Sequence, residues 1–387
     1  MPKILIAANE ENGFACEKKQ KKFLLICGNS QTVITFRLGL IKALQKKGYA
    51  VSVVALDNDY KDEIAAQNID FYSICVQNRS LNPFGMQKLK KNYRALIERL
   101  KPDVVFTFML KPNIFGVRAA KKCQIKQIFS MVEGAGDVFA NNGIKWKIIR
   151  SVVCKMYRRS FRHVKKIFFL NTDDKKEFVL RKLVKEEQCI VISGIGVDTE
   201  RFTYRPIKNY NTFLMIARML KTKGVLEYCK AARIVKEKYP DAVFNYLGAE
   251  GNIKVADIQE YIDDGTLKYL GTTKDVRPYL EECAVFVLPS SYREGLPMSI
   301  MEAEAVGRMV ITYNVIGCRE AIEDKYNGFL VEAGNYEALS QKFIWCLEHG
   351  EEVALFGKNS RLLAEKRFAK DIINNKILDT IEEKGDV

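Results

Sequence analysis

Glu294 and Glu302 flank what reads as the start of a helix, in the string Leu288-Pro289-Ser290-Ser291-Tyr292-Arg293-Glu294-Gly295-Leu296-Pro297-Met298-Ser299-Ile300-Met301-Glu302-Ala303. An apolar run ends at Pro289, a polar loop follows, and Pro297 suits the first turn of a helix. Ile300, Met301 and Ala305 supply an apolar face, and Gly307 ends the pattern. A helix start gathers amides that bind anions, so Gly295, Leu296, Pro297, Met298 and Ser299 form a candidate cradle for a diphosphate. Two carboxylates beside a bound anion suit different chemistry, accepting hydrogen bonds from sugar and ribose hydroxyls. The competing reading gives Glu294 only helix-terminus stabilisation and leaves Glu302 in solvent.

A second cluster follows the run Phe213-Leu214-Met215-Ile216-Ala217, which ends in Arg218, with Lys223-Gly224 shortly after. Two cations at a strand's C-terminal end can neutralise a departing diphosphate; as lone surface charges they would do nothing. Near the N-terminus, Gly28-Asn29-Ser30 closes another apolar run. Gly28 is a candidate phosphate-approaching residue or a plain turn. Arg37, in the helical pattern that follows, is a candidate contact of a second diphosphate or a solvated arginine.

These residues need a scaffold that carries loops at strand ends. Phe23–Cys27, Ala50–Leu56, Val104–Phe108 and Ile167–Leu170 are strand-like and alternate with helical patterns, one of them holding Phe36, Leu38, Ile41 and Leu44 and stopping at Gly48. The same alternation restarts after Asp198, with strands at Phe213–Ile216, Val243–Leu247, Val285–Leu288 and Met309–Thr312 and a helix over Val225–Lys238. Such alternation predicts parallel α/β sheets, and 387 residues exceed what one core usually organises. Ile192–Pro206, with Gly194 and Gly196, is the candidate linker. We therefore expect an N-terminal domain over 1–197, with 1–22 an extension, and a C-terminal domain over 198–365. A last helical pattern spans about Asn359–Glu382.

Composition narrows the classes. No apolar run reaches the roughly 18 residues of a membrane span, and the apolar stretch Ile4–Ala8 is too short for a secretory signal. Ten scattered cysteines, no CxxC pair and only His163 and His349 argue against a zinc site or disulfide framework and for a reducing cytoplasm. The net charge of +15 is uneven. Residues 1–200 carry 36 Lys+Arg against 19 Asp+Glu, whereas the remainder carries 26 against 28. An acidic partner of the N-terminal half follows. Within it, Lys145–Lys166 holds nine basic residues and no acid, interleaved with Trp146, Ile148, Ile149, Val152, Val153, Met156, Tyr157 and Phe161. That is the pattern of an amphipathic helix on an anionic membrane surface, or of an ordinary helix with its stripe in the core. A nucleic-acid partner is disfavoured because aromatic-basic recognition modules are absent, and a nicotinamide enzyme because no G-x-G-x-x-G follows either first strand.

The Pro-Ser strand end followed by Glu-x7-Glu, with Arg218 and Lys223-Gly224 ahead of it, resembles the retaining glycosyltransferases of family 4. Ile195–Phe202 resembles their interdomain segment and Asn327–Val331 their last short strand. The resemblance runs from about Phe23 to the C-terminus. It implies a GT-B fold, two Rossmann-like domains facing across a deep cleft, with the final helix, about 366–387, packing back on the first domain. It also implies transfer from a UDP-sugar, which is a substrate, without a cofactor or bound metal. Arg218 and Lys223 would then hold the donor phosphates, Glu294 the donor sugar and Glu302 the ribose. Ser80-Leu81-Asn82-Pro83-Phe84, Asn113–Gly116, Val132–Gly136 and Met215–Arg218 are similar to bacterial enzymes that extend undecaprenyl-diphosphate-linked sugars. A lipid-diphosphate-linked acceptor and a peripheral place on the inner membrane face are thereby implied. One departure stands out. Many members carry a histidine on the strand that here ends Phe129–Glu133, leaving Glu133 or a backbone carbonyl to meet the reacting sugars. A sugar-nucleotide epimerase on the same fold is the alternative.

Overall fold

Runs that are apolar on both faces become strands covered on both sides by helices. In the computed structural model, which describes residues 20–74, 83–141 and 143–383, Val104–Phe108 and Met309–Tyr313 are buried at every position. The stretch Ile4–Ala8 and the triplet Ser80-Leu81-Asn82 lie outside the described residues.

The strands are β1 (Lys22–Ile26), β2 (Ala50–Ala55), β3 (Asp70–Ser73), β4 (Val104–Phe108), β5 (Gln127–Val132), β6 (Lys166–Phe169) and β7 (Cys189–Val191). The second half adds β8 (Thr212–Ile216), β9 (Val243–Leu247), β10 (Lys268–Tyr269), β11 (Val285–Leu288), β12 (Met309–Tyr313) and β13 (Gly328–Val331). They form two separate sheets, ordered β3-β2-β1-β4-β5-β6-β7 and β10-β9-β8-β11-β12-β13, and every pairing is parallel. Both are doubly wound. Strand order reverses between β1 and β4 and again between β8 and β11, and the crevice beyond the carboxyl ends of such strands is where this architecture binds ligands. Gly28 follows β1; Arg218 and Pro289 follow β8 and β11.

Three elements differ from the sequence reading. β3, β7 and β10 are edge strands of two to four residues, too short to show a period. The last helical pattern is broken: Gly350–Leu363 and Lys370–Glu382 are separated by a wide turn over Ala364–Phe368 and an extended Ala369. The break lets the chain turn back. Ile373, Ile377, Leu378 and Ile381 enter the core of the first sheet beside Phe23, Leu25, Leu40 and Leu44. Lys22 belongs to β1 rather than to the N-terminal extension, because it pairs with Ala50.

Candidate functional site

On the second sheet, β8 leads into the turn Lys221–Lys223 and then Gly224, whose φ is +80°. Glycine is required there twice, since a Cβ would also collide with the Pro289 carbonyl oxygen. This close approach brings Lys223 to the end of β11. Its ammonium pairs with the Glu294 carboxylate, which also accepts a 3.1 Å hydrogen bond from the buried Ser290 Oγ. Ser291 N donates to Thr222 O at 2.9 Å, closing the two loops on each other. Arg218 is exposed at the end of β8 and has no ion-pair partner among the described residues.

The helix Met298–Val306 starts behind an extended Pro297, which offers its first-turn amides no side-chain cap. Leu296 and Pro297 turn their side chains into the core, so only the backbone of this turn is available to a ligand; Met298 and Ser299 are half-buried. Glu302, on the next turn, lines a cleft of about 970 Å³ between the two sheets' loops. Its neighbours there include Thr35, Asp198, Arg201, Asp275 and Met298. Burial pushes the Glu302 carboxyl up to about 7, with Arg201 pulling down and Asp275 up. Glu294 lines a different cavity, about 420 Å³, with Asn113, Glu133, Gly134 and Tyr292. The two glutamates therefore serve opposite sides of one helix start.

On the first sheet the structure brings two candidates together. Arg37 is 2% exposed, its guanidinium paired with Glu133 and stacked 4.7 Å from the centroid of the Phe108 ring. It is not a solvated arginine: the helix that carries it turns it under the sheet's carboxyl end. Gly28 sits in a tightly packed loop. A Cβ there would come within 2.6 Å of the Met109 sulfur, and Ser30 N donates to Asp57 Oδ1 at 2.9 Å. Glycine is thus favoured there by packing, and the Ser30 amide of this loop already has a carboxylate partner.

Sequence reasoning passed over Arg293, which crosses to the first sheet's domain and pairs with Asp174 and Glu177 of the helix Thr172–Leu180. It also passed over Arg201 and Asp275 in the large cleft. Arg293 was visible beside Glu294, but nothing in the string says which domain it faces. The basic segment is a helix over Ile144–Phe161 with one apolar stripe in the core and further apolar residues left in solvent. Val153, Cys154, Tyr157 and Phe161 are buried, whereas Ile144, Ile148 and Val152 are 79%, 61% and 53% exposed. Among the described residues no helix is long and apolar enough to cross a membrane.

Comparison with known proteins adds to this geometry. Residues 24–171 match the family model "Glycosyl transferase 4-like" and residues 197–363 match "Glycosyl transferases group 1". Over 333 residues the chain is 31% identical to the N,N'-diacetylbacillosaminyl-diphospho-undecaprenol alpha-1,3-N-acetylgalactosaminyltransferase of Campylobacter jejuni, covering 82% of this chain and 87% of that protein. It is 28% identical to the UDP-Gal:alpha-D-GlcNAc-diphosphoundecaprenol alpha-1,3-galactosyltransferase of Escherichia coli, over 65% of this chain and 68% of the relative. In fold it is similar to HepE of Anabaena in complex with UDP, with a TM-score of 0.78 at 17% identity, covering 93% of this chain and 99% of that one.

Proposed function

We propose that this chain, which belongs to the glycosyltransferases built from a 4-like and a group 1 domain, moves a hexose or N-acetylhexosamine from a UDP-sugar to a polyprenyl-diphosphate-linked saccharide. The observation that carries this reading is the meeting of Lys223, Glu294 and the helix start at Met298, which has no side-chain cap, where strand order reverses, with Arg218 exposed at the end of the neighbouring β8. The donor diphosphate lies against that helix start and takes Lys223 from its pair with Glu294. Glu294 is then free to accept from a sugar hydroxyl, and Glu302 from the ribose. As the bond from C1 to the diphosphate oxygen breaks, Arg218 and Lys223 stabilise the charge that develops. The acceptor oxygen bonds to C1 from the same face, and its proton passes to the departing phosphate. Arg37 and Glu133 line the acceptor side. The two cations supply the positive charge, so turnover in EDTA should equal turnover without it.

Two curated relatives act, by their names, on diphosphoundecaprenol-linked sugars, which supports a lipid-linked acceptor and a peripheral place on the cytoplasmic membrane face. The test is turnover with UDP-hexoses and UDP-N-acetylhexosamines on short polyprenyl-diphosphate saccharides. Hydrogen bonds made with a charged group are worth about 1.5–3 kcal/mol, so Glu294→Gln should lower kcat and Glu302→Ala raise the donor KM by roughly tenfold to hundredfold. Arg218→Ala and Lys223→Ala should each cost roughly 100-fold in turnover and weaken UDP in calorimetry. Full activity of both glutamate variants at limiting donor would remove the assignment.

A further inference from the structure

Between the two cavities runs a seam where one side chain touches almost everything. Asp174 is fully buried in the first turn of the helix Thr172–Leu180. Its Oδ2 accepts from Ala135 N at 3.2 Å, tying it to the loop that follows Glu133, and from Asn171 Nδ2 at 3.0 Å. Its Oδ1 accepts from Arg293 Nε at 2.8 Å, tying it to the residue that precedes Glu294. Glu177 takes another nitrogen of the same guanidinium, and Asn171 Nδ2 also donates to Gly295 O at 2.9 Å. Gly295 itself lies so close to Glu133 that a Cβ would overlap the Glu133 carbonyl oxygen. The loop of the donor glutamate and the loop of the acceptor-side glutamate are thus packed backbone to backbone and joined through one buried carboxylate.

The chemistry of this node is unlike the rest of the seam. Arg319 pairs with Asp173 and Glu320 accepts from Thr172 N at 2.8 Å, but these contacts are partly exposed and reach neither loop. Burial pushes the Asp174 carboxyl above its ordinary value and Arg293 pulls against that. An unpaired charge there would be costly, so the arginine stays whenever Asp174 is ionised. Arg293 offers five donors in a rigid plane and can serve both carboxylates at once.

We propose that Arg293 is a positioning residue: through Asp174 and Glu177 it sets Glu294 in register with the acceptor loop Glu133–Gly136, so that transfer depends on it while nucleotide binding does not. This rests on the donor-site reading above. Without Arg293 the donor still binds through Arg218, Lys223 and Glu302, but the sugar is held out of register with the acceptor. Water then competes better for C1 than the acceptor hydroxyl does.

The experiment measures transfer, donor hydrolysis without acceptor, and UDP affinity for the parent, Arg293→Gln, Arg293→Lys, Glu177→Gln and Arg319→Gln. A misplaced reacting group costs on the order of 10–100-fold, so Arg293→Gln should lose that much transfer kcat with UDP affinity kept and the ratio of hydrolysis to transfer raised. Arg293→Lys should recover part of the loss, and Glu177→Gln, which keeps the Asp174 contact, should show a smaller one. Arg319→Gln breaks the more exposed Arg319–Asp173 pair of the same seam, which reaches neither loop, and should leave the ratio at the parental value. Parental transfer by Arg293→Gln overturns the proposal. So does a parallel fall of transfer, hydrolysis and UDP affinity across the Arg293 and Arg319 variants, which is the signature of mere adhesion between domains. Failure of the parent to transfer from any UDP-sugar would instead indict the donor-site reading, since the node is judged only on ratios to the parent.

Discussion

Glu302 gives the proposed donor site a pH signature of its own. Its carboxyl is pushed from an ordinary 4.5 up to about 7, with burial the largest cause. The folded chain therefore holds this proton more tightly than the unfolded chain does. The stability it contributes is fully present below the unfolded value near 4.5 and is lost as pH rises through about 7. Glu302→Gln removes that loss, so the substitution should raise the melting temperature more at pH 8 than at pH 5. Binding runs the other way, because ribose hydroxyls donate best to the ionised carboxylate. UDP affinity should weaken as pH falls from 8 to 6 in the parent more than in Glu302→Gln, a comparison in which titration of the nucleotide itself cancels. Parallel pH curves for the two proteins would show that Glu302 does not meet the nucleotide.

Elements differed in how much the sequence disclosed of them. Strands at the centre of each sheet announce themselves, because burial on both faces demands an unbroken apolar run, as in Val104–Phe108 and Val285–Leu288. The Glu294–Glu302 loop and the Arg218–Lys223 turn were legible as loops for a related reason, since polar residues at fixed distance from such runs have only one end of the sheet to occupy; the roles proposed for them came from the family resemblance. Edge strands β3 and β10 were not legible, nor was the break at Ala369, since pairing partners and not local pattern decide them. Nor can charge and period say which cations of a basic helix are free. Arg158 donates to the carbonyls of Lys182 and Arg181, each at 2.9 Å, and is structural. By helical period Lys155, Arg159 and Arg162 share the exposed face with Ile144 and Ile148. We propose that this face rests on an anionic bilayer, each basic residue adding about 1 kcal/mol. Sedimentation with vesicles should then fall on changing Lys155, Arg159 and Arg162 to glutamine, and fall with salt. Changing Ile144 and Ile148 to serine should weaken what salt leaves. Equal binding to anionic and neutral vesicles would show that the charge serves another partner.

At the scale of the whole molecule the two sheets are not independent halves, because the chain crosses between them twice at one place. Val197 N donates to Phe368 O at 2.7 Å, and Lys370 N to Val197 O at 2.9 Å, so the outgoing and returning strands of chain are paired. Beyond that pair, the helix Lys370–Glu382 completes the first sheet's core with Ile373, Ile377, Leu378 and Ile381. The first domain is therefore completed by the helix Lys370–Glu382, and Lys370 at the start of that helix also lines the cleft beside Glu302. Ile377 is 1% exposed, and truncating a buried isoleucine to alanine typically costs about 2–5 kcal/mol. Ile377→Ala should lose stability of that order in a denaturant titration followed by Trp146, which lies on the first domain. Trp345, packed against Phe329 and Phe356 of the second, should report a smaller change, and UDP affinity should hold. If the signal from Trp345 and the UDP affinity fell as far as the signal from Trp146, the helix would be supporting both domains equally, and the picture of a first domain closed by its own distant C-terminus would have to be given up.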